Sequence, residues 1–141
     1  MNRFFITILV SGILLLAACG GGRGRLGQSG DADSVSRGME ELNARIASEP
    51  KNADLLHERS RLFMSKNDFN KALQDIHQAI SIDGKNSSYL VTLSDIYLFT
   101  GQPDNSKETL VRAVEVNAKD TEARLKLAKL YLIMQDYPNC F

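Results

Sequence analysis

The chain has 141 residues, 17 basic and 17 acidic side chains, a formal net charge of zero and a pI near 6.7. That balance argues against a nucleic-acid or polyanion binder, which carries a basic stripe or face. The absence of tryptophan leaves few aromatic platforms.

At the N-terminus, Arg3 precedes an apolar run from Phe4 to Ala18, interrupted by Thr7, Ser11 and Gly12. The run is shorter than the roughly 20 residues that a membrane-spanning helix needs. It fits the apolar region of a secretory signal peptide, over residues 1–18. It ends in Leu16-Ala17-Ala18-Cys19. This tetrapeptide resembles the lipobox of bacterial lipoproteins, and the resemblance implies cleavage before Cys19 and lipidation of that cysteine. More than one acyl chain makes a durable anchor, because each buried methylene contributes about 0.8 kcal/mol. Gly20, rather than aspartate, follows the cysteine. By the same resemblance, that implies a bacterial envelope location at the outer membrane. Cys140 then has no intramolecular partner and reads as a small packing residue.

Residues 19–38 are rich in Gly, Ser and Arg without apolar periodicity and read as a flexible tether. The Gly-rich stretch from Gly22 to Ser29 lacks the lysine of a phosphate-binding loop, since Gln28 stands in its place. From Met39 onward the pattern is helical. Met39, Leu42 and Ile46 predict a helix over Ser34–Ser48, stopped by Pro50. Further helices are predicted over Asn52–Lys66, Phe69–Ile82, Ser87–Thr100, Pro103–Asn117 and from Asp120 or Thr121 to Gln135. Asn67, Gly84 and Gly101 mark the breaks, and Pro103 suits a first helical turn. No segment alternates with period two for long enough to be a strand.

The helical region repeats itself every 34 positions. Phe63, Tyr97 and Tyr131 align, as do Ser60, Ser94 and Ala128, then Ala72, Ser106 and Cys140, then Ala79 and Ala113. A period of this length predicts an all-α helix–turn–helix solenoid. These residues resemble the tetratricopeptide repeat, over residues 39–141. The first repeat is 53–86, the second 87–120 and the third, incomplete, 121–141; Leu42 and Pro50 belong to a leading partial repeat. Small residues at the eighth and twentieth places let the paired helices approach. An aromatic at the eleventh fills the space beside the crossing, and alanine at the twenty-seventh admits the next repeat. Three places depart from the pattern: Arg59 at the usually apolar seventh, Gly84 and Ala118 at the usual proline, and Pro103 at a usual aromatic. Because the register breaks off at Phe141, Leu127, Leu130 and Tyr131 are expected to lack a covering helix, as in a shortened chain.

The resemblance implies a surface that binds protein or peptide partners along the first helices, at the second, fifth, ninth and twelfth places. The candidate groove residues are His57, Arg61 and Met64; Val91, Asp95 and Leu98; and Leu125, Lys129 and Leu132. A mixed charged and apolar face of this sort suits a peptide with alternating anchors. The lysine and asparagine clamp of the chaperone-tail binders is not matched, since only Arg61 and Lys126 keep positive charge there and Glu122 opposes it. No catalytic motif or cofactor is implied. His57 and His77 sit on different helices without the spacing of a metal-binding pair. The expectation is therefore a non-enzymatic, membrane-tethered scaffold without nucleic-acid partners. The alternative is an outer-membrane glycan-binding lipoprotein built on such a scaffold.

Overall fold

The computed structural model describes residues 29–134; the signal segment, Cys19 and Cys140 lie outside the described residues. Six helices follow in order: α1 (Ser29–Ser48), α2 (Ala53–Ser65), α3 (Phe69–Ile82), α4 (Ser87–Phe99), α5 (Pro103–Val116) and α6 (Thr121–Ile133). There is no strand among the described residues. α2 pairs with α3 and α4 with α5, and each pair hands on to the next through α3 against α4 and α5 against α6.

Local chemistry starts and stops these helices in a repeated way. Side chains of Asn52, Asp68, Asn86 and Asp120 accept hydrogen bonds from backbone N–H groups in the first turns of α2, α3, α4 and α6. Such caps satisfy donors that the helix itself leaves orphaned. α5 has no side-chain cap and instead opens on Pro103, which has no N–H to satisfy. The turn between first and second helices is left-handed at Asn67 (φ 57°) and at Gly101 (φ 73°), the same repeat position. The N–H of Asp68 donates to the Phe63 carbonyl at 2.9 Å, and that of Gln102 to Tyr97 at 2.8 Å, so both turns close alike.

Two apolar cores run along the solenoid. The first gathers Leu56, Ala72, Ile76, Ala79, Leu93 and Ile96. The second gathers Leu90, Val91, Leu110, Ala113, Ala123 and Leu130. The helix crossings lie where the small residues predicted them: Ser60, Ala72, Ser94 and Ser106 are fully buried. At the first crossing the Ser60 hydroxyl donates to the Ala72 carbonyl at 2.9 Å. At the second, Ser94 turns back to the Val91 carbonyl at 2.8 Å, and the buried Ser106 hydroxyl has no partner. A buried unpaired hydroxyl costs roughly 1–3 kcal/mol. Ser106→Ala copies the first repeat's Ala72 and is expected to raise stability by about 1 kcal/mol, read as a higher midpoint in urea unfolding.

Two expectations are corrected. α1 begins at Ser29, five residues before the expected Ser34, so the second half of the expected tether is helical. No proline interrupts this stretch, and a single interior glycine such as Gly38 costs only about 1 kcal/mol relative to alanine. Gly38 passes close to α2, with a Cβ position 3.9 Å from Leu62 Cδ1. Leu130 is buried against α4 and α5, although Leu127 and Tyr131 are only half-covered. Arg59 tolerates its apolar place because Nε and Nη2 donate to the two carboxylate oxygens of buried Asp75, each at 2.7 Å, while Nη1 donates to Asn43 at 2.9 Å. One guanidinium thereby ties together α1, α2 and α3.

Candidate functional site

The inner face is built from the first helix of each repeat, α2, α4 and α6. Side chains bridge these helices rung by rung. The Tyr89 hydroxyl donates to Asp54. His57 Nε2 and Thr92 Oγ1 share a hydrogen bond at 2.8 Å, and the His57 ring lies 4.9 Å from that of Tyr89 in a tilted arrangement. At the next junction Lys126 Nζ donates to both oxygens of Asp95, at 2.7 and 2.8 Å, with Glu122 3.6 Å away. Ser87 donates to Asp120 at 2.6 Å. The bonds from α2 to α4 and from α4 to α6 join one repeat to the next, and Ser87 ties the start of α4 to the residue that caps α6, so these polar groups set the relative placement of the repeats.

This arrangement divides the nine candidate groove residues. Val91 is not on the groove: it is 4% exposed and part of the second core. The fifth repeat place is covered by the following repeat, as His57 is covered by Tyr89 and Thr92. Leu125, also at the fifth place, is 56% exposed because no described helix follows α6. His57 and Asp95 are engaged in the inter-repeat bridges, and Met64 is half-buried against the first core. Arg61, Leu98, Lys129 and Leu132 face solvent. Arg61 and Lys129 have no ion-pair partner among the described residues. The sequence reading missed Tyr89 and Thr92. The available signal was their offset, each standing 35 positions after its partner.

The electrostatics follow from this packing. Burial, and then the nearby Arg61 charge, lower the pKa of His57 below its ordinary 6.5, against the opposing pull of Asp54 and Glu58. Burial and the bond to Asp54 push the Tyr89 hydroxyl up to about 12. The Ser87 hydroxyl and the Ala123 N–H hold the Asp120 carboxyl below its usual range. For His57 the unfolded chain binds the proton more readily than the folded one. Stability is therefore expected to be constant above its unfolded pKa and to fall as the pH drops from about 6.5 toward the folded value. Asp120 acts in a separate and lower window, where its stabilisation is lost as the pH falls through its depressed pKa. His57→Gln retains a partner for Thr92 and is expected to flatten the melting temperature between about pH 7 and pH 5.5.

A cleft of about 310 Å³ lies away from this inner face, between the second helices α3 and α5, with α4 as its floor. Among the described residues, no group of three His, Cys, Asp or Glu side chains converges as a metal site would require. None of the described helices is long and apolar enough to cross a membrane.

Comparison with known proteins agrees with this architecture. A family model described as tetratricopeptide repeat matches residues 63–130. No curated protein matches the chain at a significant level. Among solved structures, MamA protein superposes with a TM-score of 0.65 at 15% identity, covering 78% of this chain and 60% of that one. The thermophilic repeat protein TTC0263 of Thermus thermophilus gives a TM-score of 0.71 at 20% identity, covering 76% and 55%. The first such domain of Spaghetti (RPAP3), bound to the HSP90 peptide SRMEEVD, gives 0.67 at 14% identity, covering 74% and 83%. The chain thus spans a little over half the length of the first two. Left-handed turns, small-residue crossings and inter-repeat stacking recur 34 residues apart, and residues 63–130 are tetratricopeptide repeat.

Proposed function

We propose that this chain is a non-enzymatic scaffold that holds a protein or peptide partner on the inner face of its repeats, tethered to a bacterial envelope by lipid on Cys19. The observation that carries the binding reading is the row formed by Met64, Leu98 and Leu132 at the twelfth place of successive repeats. Leu98 is 42% and Leu132 49% exposed. Met64, at the same place, is half-buried against the first core, and exposed apolar patches mark interaction surfaces. Arg61 and Lys129, at the ninth place, have no ion-pair partner among the described residues, so charge is available to orient what binds. The Spaghetti domain bound to a peptide supports the same use of this fold. The envelope tether rests on the apolar run and on Leu16-Ala17-Ala18-Cys19.

Photo-crosslinking in cells tests the binding. A crosslinking amino acid at Leu98 or Leu132 is expected to capture a defined partner, and the same group at Gln74, exposed on α3, is not. Arg61→Glu with Lys129→Glu is expected to remove the adduct. Equal capture from Gln74, or none from the inner face, would rule the groove out. Cys19→Ser is expected to abolish lipid labelling and release the protein from membranes; labelling that persists disproves the tether.

A further inference from the structure

The cleft between α3 and α5 lies outside the inner face and plays no part in that reading. Its floor is apolar, made by Leu93 and Tyr97 of α4, and its rim is polar, made by His77 of α3 with Glu108 and Arg112 of α5. The cleft exists because α3 and α5 do not pack on one another, and α4 separates them. Its volume of about 310 Å³ falls at the small end of ligand sites.

The rim carries two opposite charges. Glu108 and Arg112 stand one helical turn apart, the spacing at which such side chains ordinarily pair. No ion pair joins them, and neither has another partner among the described residues. The Arg112 guanidinium instead reaches across to the end of α3, with Nη2 3.7 Å from the Cβ position of Gly84. It thus spans the gap from α5 to the turn that follows α3. A cation at one end and a carboxylate one turn away, above an apolar floor, form a dipolar receptor.

We propose that this cleft binds a zwitterionic peptide-like ligand: a free amino acid or dipeptide with an apolar side chain. Arg112 takes the ligand carboxylate; guanidinium and carboxylate match in a two-bond fork. Glu108 accepts hydrogen bonds from the ligand ammonium. The apolar side chain rests on Leu93 and Tyr97. A ligand carrying one charge engages only one of Glu108 and Arg112, so each free terminus strengthens binding.

The test is a titration of the full chain in detergent micelles, followed by amide NMR shifts. The probes are the dipeptide Ala-Leu, its N-acetyl derivative and its C-terminal amide. Ala-Leu is expected to shift resonances of α3, α4 and α5 saturably, and blocking either terminus to weaken binding by about tenfold or more, the effect of losing one charge-assisted contact. Arg112→Gln is expected to erase the preference for the free carboxylate, and Glu108→Gln the preference for the free amine. Both residues are exposed, so neither change disturbs the core. Arg61→Glu with Lys129→Glu is expected to leave this binding intact, which separates it from the inner-face scaffold. No saturable shift up to about 10 mM, where even a weak site of this size responds, overturns the proposal. Equal binding of the blocked dipeptides overturns it as well.

Discussion

Arg59→Leu is expected to destabilise the repeat domain by about 3–5 kcal/mol, although leucine is the residue at the same place in the second repeat. The reason is the partner it abandons. Asp75 is the buried member of the pair, its side chain 5% exposed against 21% for Arg59. Without the guanidinium, its carboxylate stays among apolar neighbours with no counter-charge. Asp75→Thr alone is expected to cost less, because Arg59 keeps Asn43, some solvent and the Phe63 ring 5.9 Å from its guanidinium carbon. The double change Arg59→Leu with Asp75→Thr installs the pair found in the second repeat, Leu93 and Thr109. It is expected to recover most of the loss, since a buried ion pair and a well-packed apolar replacement are often close in energy. Urea unfolding of the two single variants and the double measures the coupling. Additive losses would show that the pair does not act as a unit.

Ala79→Arg is expected to abolish cooperative unfolding altogether. Ala79 has no exposed surface and lies in the first core, between its own helix pair and α4. A guanidinium there finds neither room nor a counter-charge, and burying an unpaired charge costs more than the roughly 5–15 kcal/mol by which domains are ordinarily stable. Ala113→Arg, one repeat further on and equally buried, is expected to do the same to the second core. Gln74→Arg, on the exposed side of α3, serves as the control and is expected to leave the melt unchanged. A normal melt for Ala79→Arg would mean that the helices pack in a different register.

The helices and their register were legible because their determinants are local. Small residues at the eighth and twentieth places, an asparagine or glycine at the turn, and the proline that opens α5 all act within one repeat. Val91 was misread because its burial depends on how closely the following repeat stacks, which the residue's own helix does not reveal. Arg59 stood out as a departure, but its remedy, Asp75, lies on the opposite helix of the pair. The His57–Thr92 and Tyr89–Asp54 contacts each span 35 positions. They emerge only when two repeats are laid side by side. The early start of α1 was hidden by glycine and serine, whose modest penalties in a helix do not suffice to end one.

The bridges between first helices also make the order of the repeats meaningful. Asp54 meets Tyr89, and His57 meets Thr92, whereas Asp95 meets Lys126. The two junctions use different chemistry, so the polar groups of the first repeat match those of the second and not those of the third. If the third repeat followed the first directly, Asp54 would face Ala123 and His57 would face Lys126, a missing hydroxyl and a cation beside an imidazole. The backbone would accept that splice without complaint, since the apolar frame is common to all repeats. The polar keys would not, and a chain whose modules look interchangeable is in this way written to be read in one direction.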